Sequence, residues 1–283
     1  MLFSGDVGRR HKPILMDPTL FSEADYVVIE STYGDRVLEA PDQVADKLAE
    51  NINRTVRAGG NVVIPSFALE RAQELLYYLN ELLRRDAIPH LMVFLDSPMA
   101  VSITEVFERH PELWDEETVA LARRGRSPFE FPGLNPVRTT EQSKAINHIS
   151  GTVVIIAGSG MCTGGRIKHH LVSNISRADS TVLFVGYQAA GTLGREIVDG
   201  AGEVRILGQN RAVKARIVYL HGFSGHADQQ QLLAWLQNLT KPPRGVFVTH
   251  GESDVVEDFV SLVRKRTGWH ATAPDYGEQV VLD

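Results

Sequence analysis

A single cysteine, Cys162, among 283 residues excludes an internal disulfide and any cysteine-rich zinc knuckle. Any metal held by this chain must therefore be held by carboxylates and imidazoles. No apolar run approaches the roughly 18 to 20 residues that cross a membrane. The opening Met1-Leu-Phe-Ser-Gly-Asp6 places a turn and an acid where a signal peptide needs a long apolar stretch. The expectation is a soluble, cytoplasmic protein with no membrane partner. A positive balance is missing as well: the formal net charge is −6, which offers nucleic acid no global field. Basic residues gather only locally, at Arg123-Arg-Gly-Arg126, at Arg166-Ile-Lys-His-His170, and at Arg211, Lys214 and Arg216. Taken alone, each of these clusters is an ordinary solvated face.

What is present is an alternating pattern. Short β-branched runs recur at 26–29, 61–65, 91–95, 152–157, 181–185, 216–220 and 245–249, most ending in Gly, Pro, Ser or Asp. Helix-period stretches lie between them, clearest over 69–83, where apolar residues fall at 69, 72, 75, 76, 79, 82 and 83. Residues 229–239 and 255–266 have the same character. Strands alternating with helices predict α/β layers around largely parallel sheets. The length suits one large or two medium domains. Residues 108–136, richer in Pro, Gly and charge, read as an excursion of loops and small helices.

In open α/β sheets, chemistry collects where strands end. Asp6 sits in a turn after a short apolar lead, and Glu30 ends 26–30. His226 stands directly before a helix, and His250 ends 245–250. Singly, each has a plain structural explanation as turn former, helix cap or buried imidazole. Together, two acids and two imidazoles beside Gly or Ser suggest metal ligation by an Asp and a His, and an oriented proton donor from a Glu–His pair. A second feature is the strand, glycine-rich turn and helix start from Thr152 to Lys168. Amides freed at such a turn point at an anion. A dinucleotide reading of Gly158-x-Gly160-x-x-Thr163 fails, because the next strand ends in Gly186-Tyr187 and not in a ribose-binding acid.

These pieces together resemble the β-CASP branch of the metallo-β-lactamase superfamily. That branch includes the cleavage and polyadenylation endonuclease and its bacterial and archaeal relatives. Ser4-Gly-Asp-Val-Gly-Arg9 is similar to the motif of the zinc-bridging aspartate. Glu30-Ser-Thr-Tyr-Gly34, Phe223-Ser-Gly-His-Ala-Asp228 and Val248-Thr-His-Gly-Glu252 are similar to the branch's own three motifs, in order. Further likenesses are Gly59–Leu76, Asp96-Ser-Pro-Met-Ala100, the Gly158–Arg166 turn and Gly191-Thr-Leu-Gly-Arg195.

The resemblance implies a partial αββα metallo-β-lactamase sandwich at 1–34 and 205–283, with an inserted α/β β-CASP cap at 35–204. It implies a zinc-dependent RNA phosphodiesterase, two zinc ions in the intact family, and single-stranded RNA as partner. Asp6 and His250 become metal ligands, His226 the proton donor to the departing 3′-oxygen, and Glu30 the group that orients it. The RNA phosphate falls to Ser159, Gly160, Met161, Gly164, Gly165 and Arg166.

One departure matters. The family's H-x-H-x-D-H motif is absent: none of the ten histidines forms H-x-H, and only His11 precedes Glu30. Asp6 and His250 alone do not close a site that takes at least three protein ligands. The expectation is a chain that begins inside the catalytic domain and is inactive by itself. It would self-associate, or need the missing segment in trans. The alternative is a non-catalytic RNA-binding or assembly protein derived from the same family.

Overall fold

The computed structural model describes residues 1–283, the side chains of Pro41 and Asp42 apart. In chain order, strands β1 (Leu2–Phe3) and β2 (Tyr26–Glu30) precede helix α1 (Pro41–Ala58). Then come β3 (Val62–Pro65), α2 (Arg71–Arg84), β4 (Met92–Asp96), α3 (Pro98–Arg109), α4 (Glu116–Arg123), β5 (Leu134–Pro136) and α5 (Thr140–Ala145). They are followed by β6 (Val153–Ala157), α6 (Ile167–Asn174), β7 (Thr181–Phe184), α7 (Leu193–Val198), β8 (Glu203–Ile206), β9 (Gln209–Ala212) and β10 (Arg216–Tyr219). The chain ends with α8 (Gln229–Leu236), β11 (Gly245–Thr249), α9 (Ser253–Thr267) and β12 (Ala271–Thr272). No helix is long and apolar enough to cross a membrane among the described residues.

Two compact units divide these elements. The first comprises 1–12, 16–38 and 225–283, and the second 13–15 and 39–224. The return to the first unit, expected at 205, comes at 225. In the structure β10 pairs in parallel with β7, Arg216 opposite Thr181, so residues up to 224 stay with the second unit. A strand that adds to a sheet edge through backbone hydrogen bonds is held there whatever its distance from that sheet in sequence.

The first unit is built on a parallel sheet of order β1-β2-β11-β12. Val27, Ile29, Val246 and Val248 point to one face and are buried against Leu232 and Leu236 of α8 and Phe259, Val260 and Val263 of α9. The opposite face carries the in-register row Phe3, Val28, Phe247 and Thr272. That face is only partly covered, and Phe3 is 67% exposed.

The second unit is a doubly wound sheet of order β10-β7-β3-β6-β4-β5, parallel throughout. Its inner strands β7, β3, β6 and, past Met92, β4 are buried on both faces, as β-branched runs between helix layers must be, while the edge strands β10 and β5 are only partly covered. Val62 and Ile64 meet Val44, Leu48 and Ile52 of α1 and Leu75, Leu76 and Leu79 of α2. Val63 faces the other way, in the cluster of Ile167 and Leu171 of α6. The chain leaves β3 through α2 toward β4 and leaves β6 through α6 toward β7, in opposite directions across the sheet. The carboxyl ends of the adjacent strands β3 and β6 therefore form a topological switch point, where the diverging loops open a crevice.

Candidate active site

All four strand-end residues singled out in the sequence meet in the first unit. Asp6, Glu30, His226 and His250 each offer a ligand atom, and these atoms lie within 4.8 Å of one another. Backbone pairing makes the meeting. Thr249 registers with Glu30 across β2 and β11, which brings the ends of those strands side by side. Gly8 bridges His226, and the Ala227 amide donates to the Val7 carbonyl at 2.8 Å, tying the aspartate turn to the helix approach.

Glu30 is buried, and both its oxygens are engaged. Oε1 accepts from the Val7 amide at 2.6 Å, and Oε2 accepts from the Thr32 hydroxyl at 2.8 Å. His226 Nδ1 lies 2.8 Å from the same Oε2. A carboxylate acceptor at Nδ1 fixes that nitrogen as the protonated one and sends Nε2 away from Glu30. Asp6 and His250 form a second, more exposed pair, Oδ1 to Nδ1 at 3.8 Å. Two ligands held about 2.0–2.2 Å from one tetrahedral zinc stand roughly 3.3–3.6 Å apart, so this pair is within a few tenths of an ångström of chelating geometry. The donors, two oxygens and two nitrogens, suit zinc. Asp6 Oδ1 also lies 4.0 Å from His226 Nδ1.

His250 adopts φ +53°, a left-handed conformation that costs a side-chain-bearing residue about 1–3 kcal/mol and marks over-determined sites. Its carbonyl accepts from the Ser31 amide at 3.3 Å, which holds the bend. Thr32 is the residue that sequence reasoning missed. Its hydroxyl reaches Glu30, His226 Nδ1 at 3.3 Å and His250 Nδ1 at 3.2 Å. The only signal was its place two residues after the acid, inside Glu30–Gly34. His11 stands apart from the cluster, beside Asp17.

The predicted phosphate-binding residues occupy the loop from β6 to α6 in the second unit. Part of the loop is spent on itself: the Ser159 amide donates to the Gly164 carbonyl, and the Gly164 amide to Ser159 Oγ. Gly165 has φ +75°, and a Cβ there would meet the Gly158 carbonyl oxygen at 2.4 Å, so only glycine closes the turn. The amides of Gly160, Met161, Thr163 and Gly165 donate to no atom of the described residues.

The Arg166 guanidinium is engaged within this unit. Nη1 donates to Asp96 Oδ1 at 2.7 Å and to the Val137 carbonyl, and Nη2 donates to the Arg138 carbonyl at 2.9 Å. The charge is committed to a partner 70 residues upstream.

Asp96 is fully buried at the end of β4 and also accepts from Ser143 Oγ at 2.5 Å and pairs with His170 Nε2 at 2.6 Å. Burial pushes its carboxyl up, but hydrogen bonds from His170, Ser143 and Arg166 outweigh that and hold it below the ordinary value. A depressed carboxyl stabilises the fold fully above the unfolded value of about 3.9, and that contribution fades as pH falls below it. Asp96→Asn is accordingly expected to cost about 3–5 kcal/mol near neutral pH, as breaking a buried pair does. Urea unfolding at pH 7 and pH 3 should show the gap between parent and variant narrowing at the lower pH.

Residues 72–197 match the Beta-Casp domain, and residues 210–274 match the Zn-dependent metallo-hydrolase RNA specificity domain. The second match begins inside the larger structural unit and runs on through the four-residue site's two histidines. A ribonuclease of Thermus thermophilus is 42% identical over 280 residues, covering 99% of this chain and 63% of its own length. The transcription termination factors FttA of Methanosarcina mazei and Methanocaldococcus jannaschii are 33% and 31% identical, each covering 94% of this chain and 43% of its own length. The chain thus spans between two-fifths and two-thirds of these relatives.

Proposed function

The chain belongs to the β-CASP metallo-β-lactamase family, and from that premise we propose that it carries the proton-transfer half and part of the metal half of a zinc-dependent RNA phosphodiesterase. The observation that carries this reading is the contact of 2.8 Å between buried Glu30 and half-buried His226, beside the Asp6–His250 pair. Asp6 and His250 would hold zinc, and zinc supplies a nucleophile at neutral pH by lowering the pKa of water. His226, with Nδ1–H given to Glu30, carries on Nε2 the proton that goes to the departing 3′-oxygen. Glu30 stabilises the imidazolium and holds the ring's orientation, and Thr32 braces both histidines. On the second unit, unspent amides at Gly160, Met161, Thr163 and Gly165 take a backbone phosphate, with Arg166 anchoring the turn through Asp96.

The test is cleavage. This chain combined with the remaining portion of a longer relative, fused or in trans, should cut single-stranded RNA to 3′-hydroxyl ends, and a chelator should stop it. A second reading, a non-catalytic RNA-binding protein, is favoured by one observation: the cluster's four donors fall short of what two zinc ions take. Combined protein that binds RNA, holds zinc and leaves every phosphodiester intact would establish that reading instead.

A further inference from the structure

An isolated exposed phenylalanine is ordinary. Phe67, 39% exposed just past the end of β3, is not isolated from its surroundings in that sense, because the backbone beneath it is shaped to it. A Cβ on Gly160 would stand 2.6 Å from its Cδ2, and a Cβ on Gly186 would stand 3.1 Å from its Cε2. Neither glycine has a positive φ, so it is the ring, and not a left-handed turn, that requires them to be bare. Gln188, buried below, holds the two together: its Nε2 donates to the Gly160 carbonyl at 3.0 Å and to the Gly186 carbonyl at 2.8 Å. The ends of β6 and β7 are thereby tied together, and the phenyl ring from the end of β3 packs against both glycines.

This packing sits at the switch point of the doubly wound sheet, the edge at which such sheets bind ligands. The amides of Gly160 and Met161, unspent within the described residues, start at the ring's own contact. An aromatic face beside donors that suit an anion has the two halves of a nucleotide site: a surface for a base and a cradle for a phosphate. We propose that Phe67 is a platform on which one base of single-stranded RNA stacks, beside the turn that takes that nucleotide's phosphate. The proposal rests on the ribonuclease reading and adds a residue that governs how the strand is held. Stacking of this kind tolerates any base, since every base has a π-face.

Fluorescence of 2-aminopurine placed at successive positions of a short single-stranded RNA tests it on the full chain. One position should be quenched by the parent protein, still quenched by Phe67→Tyr, and unquenched by Phe67→Leu. Affinity for Phe67→Leu should fall by roughly 5- to 150-fold, the range for losing one base–aromatic stack. The salt dependence should stay the same, because phosphate contacts set it. An abasic nucleotide at the quenched position should weaken the parent by the same factor and leave Phe67→Leu unaffected. RNA bound equally well by parent and Phe67→Leu, with unchanged quenching, overturns the platform and leaves the ribonuclease reading standing. No abasic position costing the parent more than about twofold, well below one stack, has the same force without any protein variant. A parent that binds no single-stranded RNA overturns both.

Discussion

His226→Ala should lower RNA cleavage by the zinc-complete protein about 10²- to 10⁴-fold, the share that a positioned general acid contributes. The expectation follows from geometry. The imidazole is oriented by a carboxylate that is itself held at both oxygens, Oε1 by the Val7 amide and Oε2 by the Thr32 hydroxyl. Glu30→Gln keeps the shape and an acceptor oxygen but loses the charge that supports an imidazolium. About 10- to 100-fold is expected for that variant, the range for groups that orient a reacting residue. Single-turnover rates with saturating RNA separate the two. Equal losses in both variants would mean that the pair acts only as a unit, and no loss in His226→Ala would remove it from the chemistry.

The second large effect concerns assembly. The chain alone should retain well under two zinc equivalents after dialysis, because the cluster holds four donors in all and two of them, Glu30 and His226, are engaged with each other. We propose that it also self-associates. Phe3, Val28, Phe247 and Thr272 line one face of a four-stranded sheet whose other face takes both helices, and Tyr26 stacks on Phe247 at 6.3 Å. An incompletely covered apolar sheet face of this kind is what adhesive surfaces are made of. Light scattering should report species larger than a monomer, and adding the remainder of a longer relative should return a monomeric unit that takes up zinc. A monodisperse monomer holding two zinc ions would contradict the proposal at both points.

Much of this was legible in the sequence. All seven apolar runs became strands within about a residue of their expected ends, because β-branched residues in short blocks between turn formers have few other places to go. The four site residues were legible for a related reason: each closes a strand or opens a helix, and parallel sheets gather such ends on one edge. What was missed depends on partners remote in sequence. The hairpin of β8 and β9 escaped notice because Gln209-Asn-Arg211 looks like loop, and its register with Glu203–Ile206 is a tertiary fact. The Arg166–Asp96 pair was not legible because nothing near Arg166 in sequence suggested that partner. The pairing of β10 with β7, which keeps residues up to 224 with the second compact unit, leaves no local trace.

The division of the four-residue cluster into a metal pair and a proton pair is the centre of this account. Zinc content of the complete protein, measured by inductively coupled plasma analysis beside RNA cleavage, addresses it in one series of variants. Asp6→Ala and His250→Ala should lose zinc and cleavage together, while His226→Ala and Glu30→Gln should keep zinc and lose cleavage. Zinc lost from His226→Ala but retained by Asp6→Ala would contradict the division and the mechanism built on it.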